Sequence, residues 1–172
     1  MIAKFDKALE RVVTGLVYLA CAIVILIFTM IVIDVTLRKF GMTPPGFTLT
    51  VVEYSLLYFA MAAAPWLVRQ RGHVAIEAVV MLLPRTLQII MAKIVYLACM
   101  VVSIMFAYYS TVLLAEALAT MESDIRGVEV PLWMLFALMP FSFALIGLEF
   151  LMYLIGLRSY YSYDLSEVKD GV

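Results

Sequence analysis

The sequence predicts an all-α integral membrane protein: four transmembrane helices, both termini on the cytoplasmic side, and a short cytoplasmic interfacial helix between spans two and three. Three observations carry this expectation. The 172 residues are 66% hydrophobic and only 15% charged, with a mean hydropathy of +1.07. A soluble domain of this size has about 25% charged residues to cover its surface. Four apolar segments reach the length of about 20 helical residues that a bilayer core demands, and the Lys and Arg residues gather on one side of them. Composition therefore excludes a soluble enzyme, a nucleic-acid binder and a disordered chain. The net charge of −1 offers nothing to an anionic partner.

The first span, about 12–33, carries no charge. Lys4, Lys7 and Arg11 precede it, as in a signal peptide. Its apolar run is too long for that, and no small-residue cleavage site closes it, so it reads as a retained anchor. The second span, about 48–68, contains Glu53. The third, about 87–114, has Lys93 near its start. The fourth, about 130–157, holds Glu149, and Pro140 beside Ser142 at mid-span predicts a kink. Spans three and four exceed the minimum length and are expected to tilt or project. The whole chain, 1–172, reads as one membrane domain.

Orientation follows from charge. Lys4, Lys7, Arg11, Arg69, Arg71, Arg85, Lys93, Arg158 and Lys169 fall on one side, and only Arg38, Lys39 and Arg126 on the other. The positive-inside rule places the first group, with both termini, in the cytoplasm. The outer loop 115–129, with Glu116, Glu122, Asp124 and Glu129, agrees with that. The other outer loop, 41–46, is turn-rich, with two glycines and two prolines. Between spans two and three, 74–83 is apolar except for Glu77 and is closed by Pro84. Ten residues make about 15 Å of helix, too short to cross. The segment, about 73–84 in all, is expected to lie flat at the interface with Arg69, Arg71 and Arg85 at phospholipid phosphates. The tail 158–172 is polar, and Tyr160, Tyr161 and Tyr163 form an interfacial belt.

No cofactor, metal or catalytic constellation is expected. Cys21 and Cys99 lie in apolar runs and read as packing residues. His73 stands alone, as a local hydrogen bonder or a partner contact, and a bis-histidine haem needs two such side chains. No Walker loop or dinucleotide fingerprint occurs. The repeat Val-Tyr-Leu-Ala-Cys at 17–21 and 95–99 reads as coincidence in a restricted alphabet rather than duplication.

The charges in or beside the spans are candidate structural, subunit or lipid contacts. Asp34 and Arg38 end span one, and an Arg38–Glu53 pair would join antiparallel neighbours there. Lys93 and Glu149 lie about 9 and 12 Å inside the same membrane face, nearly level, and neutralise each other if their helix faces meet. Met100, Met105, Phe106 and Tyr108 read as lipid and packing surface. A transport site within one chain shows broken helices with polar residues at mid-membrane. Here the spans offer scattered Ser and Thr and one proline kink. The pattern is that of a membrane scaffold that works by touching another protein.

Several ordered features resemble a known family. Span one ends in Asp34-Val35-Thr36-Leu37-Arg38-Lys39-Phe40, and span two opens with Glu53. Arg69-Gln70-Arg71-Gly72-His73-Val74-Ala75-Ile76-Glu77 follows span two, then Leu82-Leu83-Pro84; Val130-Pro131-Leu132-Trp133 opens span four, with Pro140 behind it. Over about 6–157 this resembles the small membrane (DctQ-like) subunit of tripartite ATP-independent periplasmic (TRAP) transporters. Two departures stand out. Span two opens with a single Glu and no Trp where the family often has Trp and a Glu pair, and Glu77 stands where Asp is frequent. The resemblance implies a non-catalytic subunit that scaffolds a large membrane subunit for sodium-coupled uptake. The substrate would be an organic acid delivered by a periplasmic binding protein, and the setting a bacterial or archaeal inner membrane. The alternatives are the small subunit of a tripartite tricarboxylate transporter, the membrane anchor of an oxidoreductase, and a self-sufficient small multidrug exporter. The stretch around His73 favours the first family. The exporter would want its glutamate near mid-membrane; Glu53 is too near the outer surface, and Glu149 has Lys93 nearby.

Overall fold

The computed structural model describes residues 2–70, 85–125 and 129–155. The interfacial segment 73–84, with Arg71, His73 and Glu77, and the tail 158–172 lie outside the described residues, as does Arg126.

Four helices are long and apolar enough to cross a membrane, over Asp6–Lys39, Phe47–Arg69, Ile90–Thr120 and Leu132–Leu154. Helix α1 spans Ile2–Lys39. It extends beyond the apolar run 12–33 because the flanking charged residues are themselves good helix formers. It stops in a Schellman motif: Gly41 N–H donates to the Arg38 carbonyl at 3.1 Å, and Met42 N–H to the Leu37 carbonyl at 3.0 Å. Gly41 adopts φ 72°, which an L side chain resists. Pro44 and Pro45 follow, and α2 runs over Phe47–Arg69 with Pro65 inside it. Pro65 leaves the Met61 carbonyl without its usual donor, a defect that neighbouring helices make tolerable in membrane spans.

Helix α3 covers Arg85–Thr120. It continues past residue 114, where the apolar run stops, because Ala115-Glu116-Ala117-Leu118-Ala119 has high helix propensity. It ends at Met121, a non-glycine residue at φ 51°. A two-stranded antiparallel hairpin follows, β1 (Ser123–Ile125) with β2 (Glu129–Pro131), in the register Ser123–Pro131, Asp124–Val130, Ile125–Glu129. The sequence suggested only a loop here. The last span keeps right-handed helical backbone angles at Ala137 and Leu138 but loses regular helical hydrogen bonding there, which divides it into α4 (Leu132–Phe136) and α5 (Met139–Leu154). Pro140 lacks the N–H that would bond the Phe136 carbonyl and clashes with it, so the expected kink at Pro140 takes the form of an interruption at 137–138.

The main packing pairs are α1 with α2, α2 with α5, and α5 with α3. The helices thus stand in a row, α1–α2–α5–α3, with α1 and α3 at the edges. The α3–α5 seam follows a seven-residue period: Tyr96, Ser103, Ser110 and Ala117 are all buried on α3. That spacing is the signature of a left-handed crossing, and small residues let the backbones approach. Opposite lies Gly147, where a Cβ would sit 3.6 Å from Ile104 Cγ1 and 3.7 Å from Ser103 Cβ. Phe106 and Phe143 stack across the same seam at 5.1 Å.

Two apolar clusters lie toward the Arg69 end. One joins Val68 of α2, Ala92 and Tyr96 of α3, and Phe150 and Tyr153 of α5. The other joins Leu9 and Val13 of α1 to Leu145 of α5, with Trp66 of α2 against them. At the opposite end α1 is exposed along Ile25, Phe28 and Val35.

Candidate functional site

The charged residues separate into two groups. At the Asp34 end, Arg38 Nε donates to Asp34 Oδ2 at 2.7 Å on the same helix. An i,i+4 partner is reached without bringing two helices together. The expected Arg38–Glu53 bridge thus gives way to an intrahelical pair, with Glu53 exposed on α2. Phenols tie this end together. Tyr54 donates to Asp124 Oδ2 at 3.0 Å, fixing the hairpin to α2, and Tyr58 donates to the Met134 carbonyl, fixing α4.

The opposite end holds a buried charge cluster. Glu149, on α5, is 0% exposed, and its Oε1 accepts from Arg69 Nη1 at 2.9 Å. Arg69 is the last residue of α2, and its side chain is 12% exposed. Its second terminal nitrogen, Nη2, faces α1, with Glu10 Oε2 at 3.3 Å and Asp6 Oδ1 at 3.8 Å. A planar guanidinium presents its donors as a fork, so one cation can serve carboxylates on two helices at once. Tyr153, one turn beyond Glu149, donates to the carbonyls of Arg69 at 3.1 Å and Val68 at 3.3 Å. It thereby satisfies carbonyls that the end of α2 leaves open. Tyr96 stacks on its ring at 5.6 Å. Helices α1, α2, α3 and α5 all contribute to this one assembly.

The expected Lys93–Glu149 pair is not what forms. Lys93 is exposed on α3, while its neighbour Ala92 is buried against α5. One residue turns about 100° around a helix, so Lys93 points away from the seam that Glu149 occupies. Of the sequence-selected residues, Arg69 and Glu149 are brought together, and Asp34 joins Arg38. Arg69 is drawn into the protein rather than left at a lipid phosphate. Asp6, Glu10 and Tyr153 were not selected. The four-residue spacing of Asp6 and Glu10, which puts both acids on one helix face, was the available signal.

The polar groups along the spans are largely occupied. Thr29, Ser103, Ser110 and Thr111 each donate to a carbonyl of their own helix. Ser142 Oγ is buried with no hydrogen-bond partner among the described residues. No group of three or more His, Cys, Asp or Glu side chains among the described residues is arranged to hold a metal. The cluster can therefore neutralise a buried carboxylate and lock helices together.

A sequence model of the family described as tripartite ATP-independent periplasmic transporters, DctQ component, matches residues 27–159. No curated protein and no solved structure matches the chain. The matched stretch takes in Arg69 and Glu149 and leaves Asp6 and Glu10 outside. A family match over most of the chain, together with four membrane-length helices, makes this protein a member of the DctQ family, the small membrane component of TRAP transporters.

Proposed function

We propose that this chain is a non-catalytic scaffold for the large membrane subunit of its transporter. It would enlarge and anchor the static part of a sodium symporter that takes up an organic acid. A periplasmic binding protein would deliver that acid across a bacterial or archaeal inner membrane. The observation that carries this is the row of helices with an open edge. Helix α1 contains the most apolar window of the chain, yet only 6% of that window is buried within the chain itself. Such a surface fits a hydrocarbon-facing partner better than a site for a polar solute. The occupied hydroxyls along the spans support the same view.

We further propose that both termini face the cytoplasm and that 73–84 lies in the cytoplasmic interface as a brace. The Lys and Arg distribution supports both. The test is purification of the tagged chain in mild detergent, with mass spectrometry of what accompanies it. A stoichiometric, many-spanning membrane protein is expected, and Ile25→Ala with Phe28→Ala should weaken its retention. A chain that purifies alone, where other membrane complexes survive, overturns the scaffold role. Orientation is read by labelling single cysteines in a background without Cys21 and Cys99. Thr43→Cys should react with an impermeant reagent in whole cells, and Ser166→Cys only after permeabilisation.

A further inference from the structure

We infer that the first turns of α1 form a binding site for an anionic phospholipid. The headgroup phosphate would rest on Lys7 and Arg11, and one acyl chain would lie over Gly15 against Tyr18. This rests on α1 crossing a membrane, and not on the transporter role. It concerns residues outside the stretch that defines the family.

Lys7, Glu10, Arg11, Thr14, Gly15 and Tyr18 line a shallow, open groove along one face of α1. Lys7, Arg11, Gly15 and Tyr18 recur at helical spacing and share one face. Gly15 forms the floor, since a Cβ built there would meet nothing within 4 Å. Tyr18, 73% exposed, closes the lower end.

Charge selects the headgroup. Glu10 is the one acid in the lining, and Arg69 already holds it at 3.3 Å from the other side. The groove therefore presents two exposed cations to the interface with their nearest acid engaged elsewhere. A second transmembrane helix seated here would have to desolvate both cations. A phosphodiester neutralises them. Length selects a lipid over a free phosphate. Lys7 to Tyr18 covers about 16 Å along the helix axis, close to half of the roughly 30 Å hydrocarbon core. A molecule with its phosphate at Lys7 and Arg11 thus has about 10 Å of apolar helix face, Arg11 to Tyr18, along which the upper part of an acyl chain can lie. The phenol, about 10 Å deeper than Arg11 along the helix axis, then lies against the acyl chain.

The test is native mass spectrometry of the full chain in detergent after delipidation. Phosphatidylglycerol and phosphatidylcholine of identical acyl chains are added back separately. The wild type is expected to retain one phosphatidylglycerol and to prefer it to phosphatidylcholine. Lys7→Gln with Arg11→Gln should weaken phosphatidylglycerol about thirtyfold, at about a fivefold factor for each cation, and leave phosphatidylcholine unchanged. Gly15→Leu fills open space without a clash, so the fold survives, and it should expel both lipids. An unchanged melting temperature in lipid-free detergent checks that each variant is folded. Equal binding of the two lipids, or retention of phosphatidylglycerol by folded Gly15→Leu, overturns the proposal. So does displacement of the lipid by millimolar inorganic phosphate, which would show a headgroup-only anion site. Co-purification of the large subunit is read separately, so failure of the lipid site and failure of the scaffold role are distinguishable.

Discussion

Replacing Arg69 by Met tests the buried cluster most directly. Glu149 is 0% exposed and its carboxylate lies 2.9 Å from the guanidinium. Removing the cation takes the Arg69 guanidinium away from a carboxylate that is fully buried. Breaking a buried pair this way costs about 3–5 kcal/mol. For a chain of this size each kcal/mol moves Tm by about 2–4 °C, so Arg69→Met should lower it by about 6–20 °C. The double variant Arg69→Met with Glu149→Met removes both charges and fills the site with apolar volume. It should recover most of the loss, because a buried pair repays its own desolvation only in part. Asp6→Asn and Glu10→Gln are the controls. Their side chains are 36% and 57% exposed, and each change should cost no more than about 1 kcal/mol. The assay is thermal unfolding in detergent, followed by size-exclusion fluorescence and by retention of helical circular dichroism. If Arg69→Met shifts Tm no more than those controls, or the double variant is less stable than the single, the claim that Arg69 neutralises Glu149 is wrong.

Four further outcomes are expected, read in the same assay. Ser142→Ala removes a buried hydroxyl that has no partner among the described residues and should raise stability by about 1 kcal/mol; a loss of that size would show that the hydroxyl has a partner. Met121→Gly relieves a left-handed φ of 51° at the end of α3 and should stabilise by about 1 kcal/mol. Gly147→Ala places a methyl at ordinary contact distance from Ile104 and Ser103 and should be neutral or stabilising by about 0.5–1 kcal/mol, since helical glycine is costly. Gly147→Leu, in contrast, forces α3 and α5 apart and should cost about 1–3 kcal/mol.

Much of the architecture was legible because a bilayer imposes simple rules. Apolar length marks a span whatever it packs against, and the four runs correspond to four membrane-length helices. Pro140 announced its break because a missing N–H acts locally. What hydropathy could not mark was where helix ends. Asp6, Glu10 and Ala115–Ala119 lie outside the apolar runs and still continue their helices. The partner of Glu149 was hidden for a different reason. Depth along a helix can be counted residue by residue, which is why Lys93 looked level with Glu149. Direction around the helix is set by packing, and the seam that buries Ala92 turns Lys93 outward. Arg69, at the end of a span, carried the ordinary sequence signature of a cation facing lipid phosphates. Only the angular placement of α5 makes it a counter-ion. The paired strands β1 and β2 went unread because three-residue strands of polar and β-branched residues are too short for a period to show. The α3 seam was recoverable, since small residues seven apart at 103, 110 and 117 are visible to anyone counting in heptads.

The row order α1–α2–α5–α3 also bears on how the chain is made. Neighbours in the row are either consecutive spans, α1 with α2 and α3 with α5, or meet at the junction of α2 with α5, the main contact between the two halves. Two helical hairpins can therefore enter the bilayer one after the other during synthesis, each already paired, as in two-stage assembly of membrane helices. The first hairpin arrives with Arg69 beside Asp6 and Glu10. Glu149 comes with the second, and the two halves join where that carboxylate meets a cation already in place. Ion pairing at that junction turns a chance collision of two apolar hairpins into a keyed one. A register slip of one helical turn, about 5.4 Å, would leave a charge stranded in hydrocarbon.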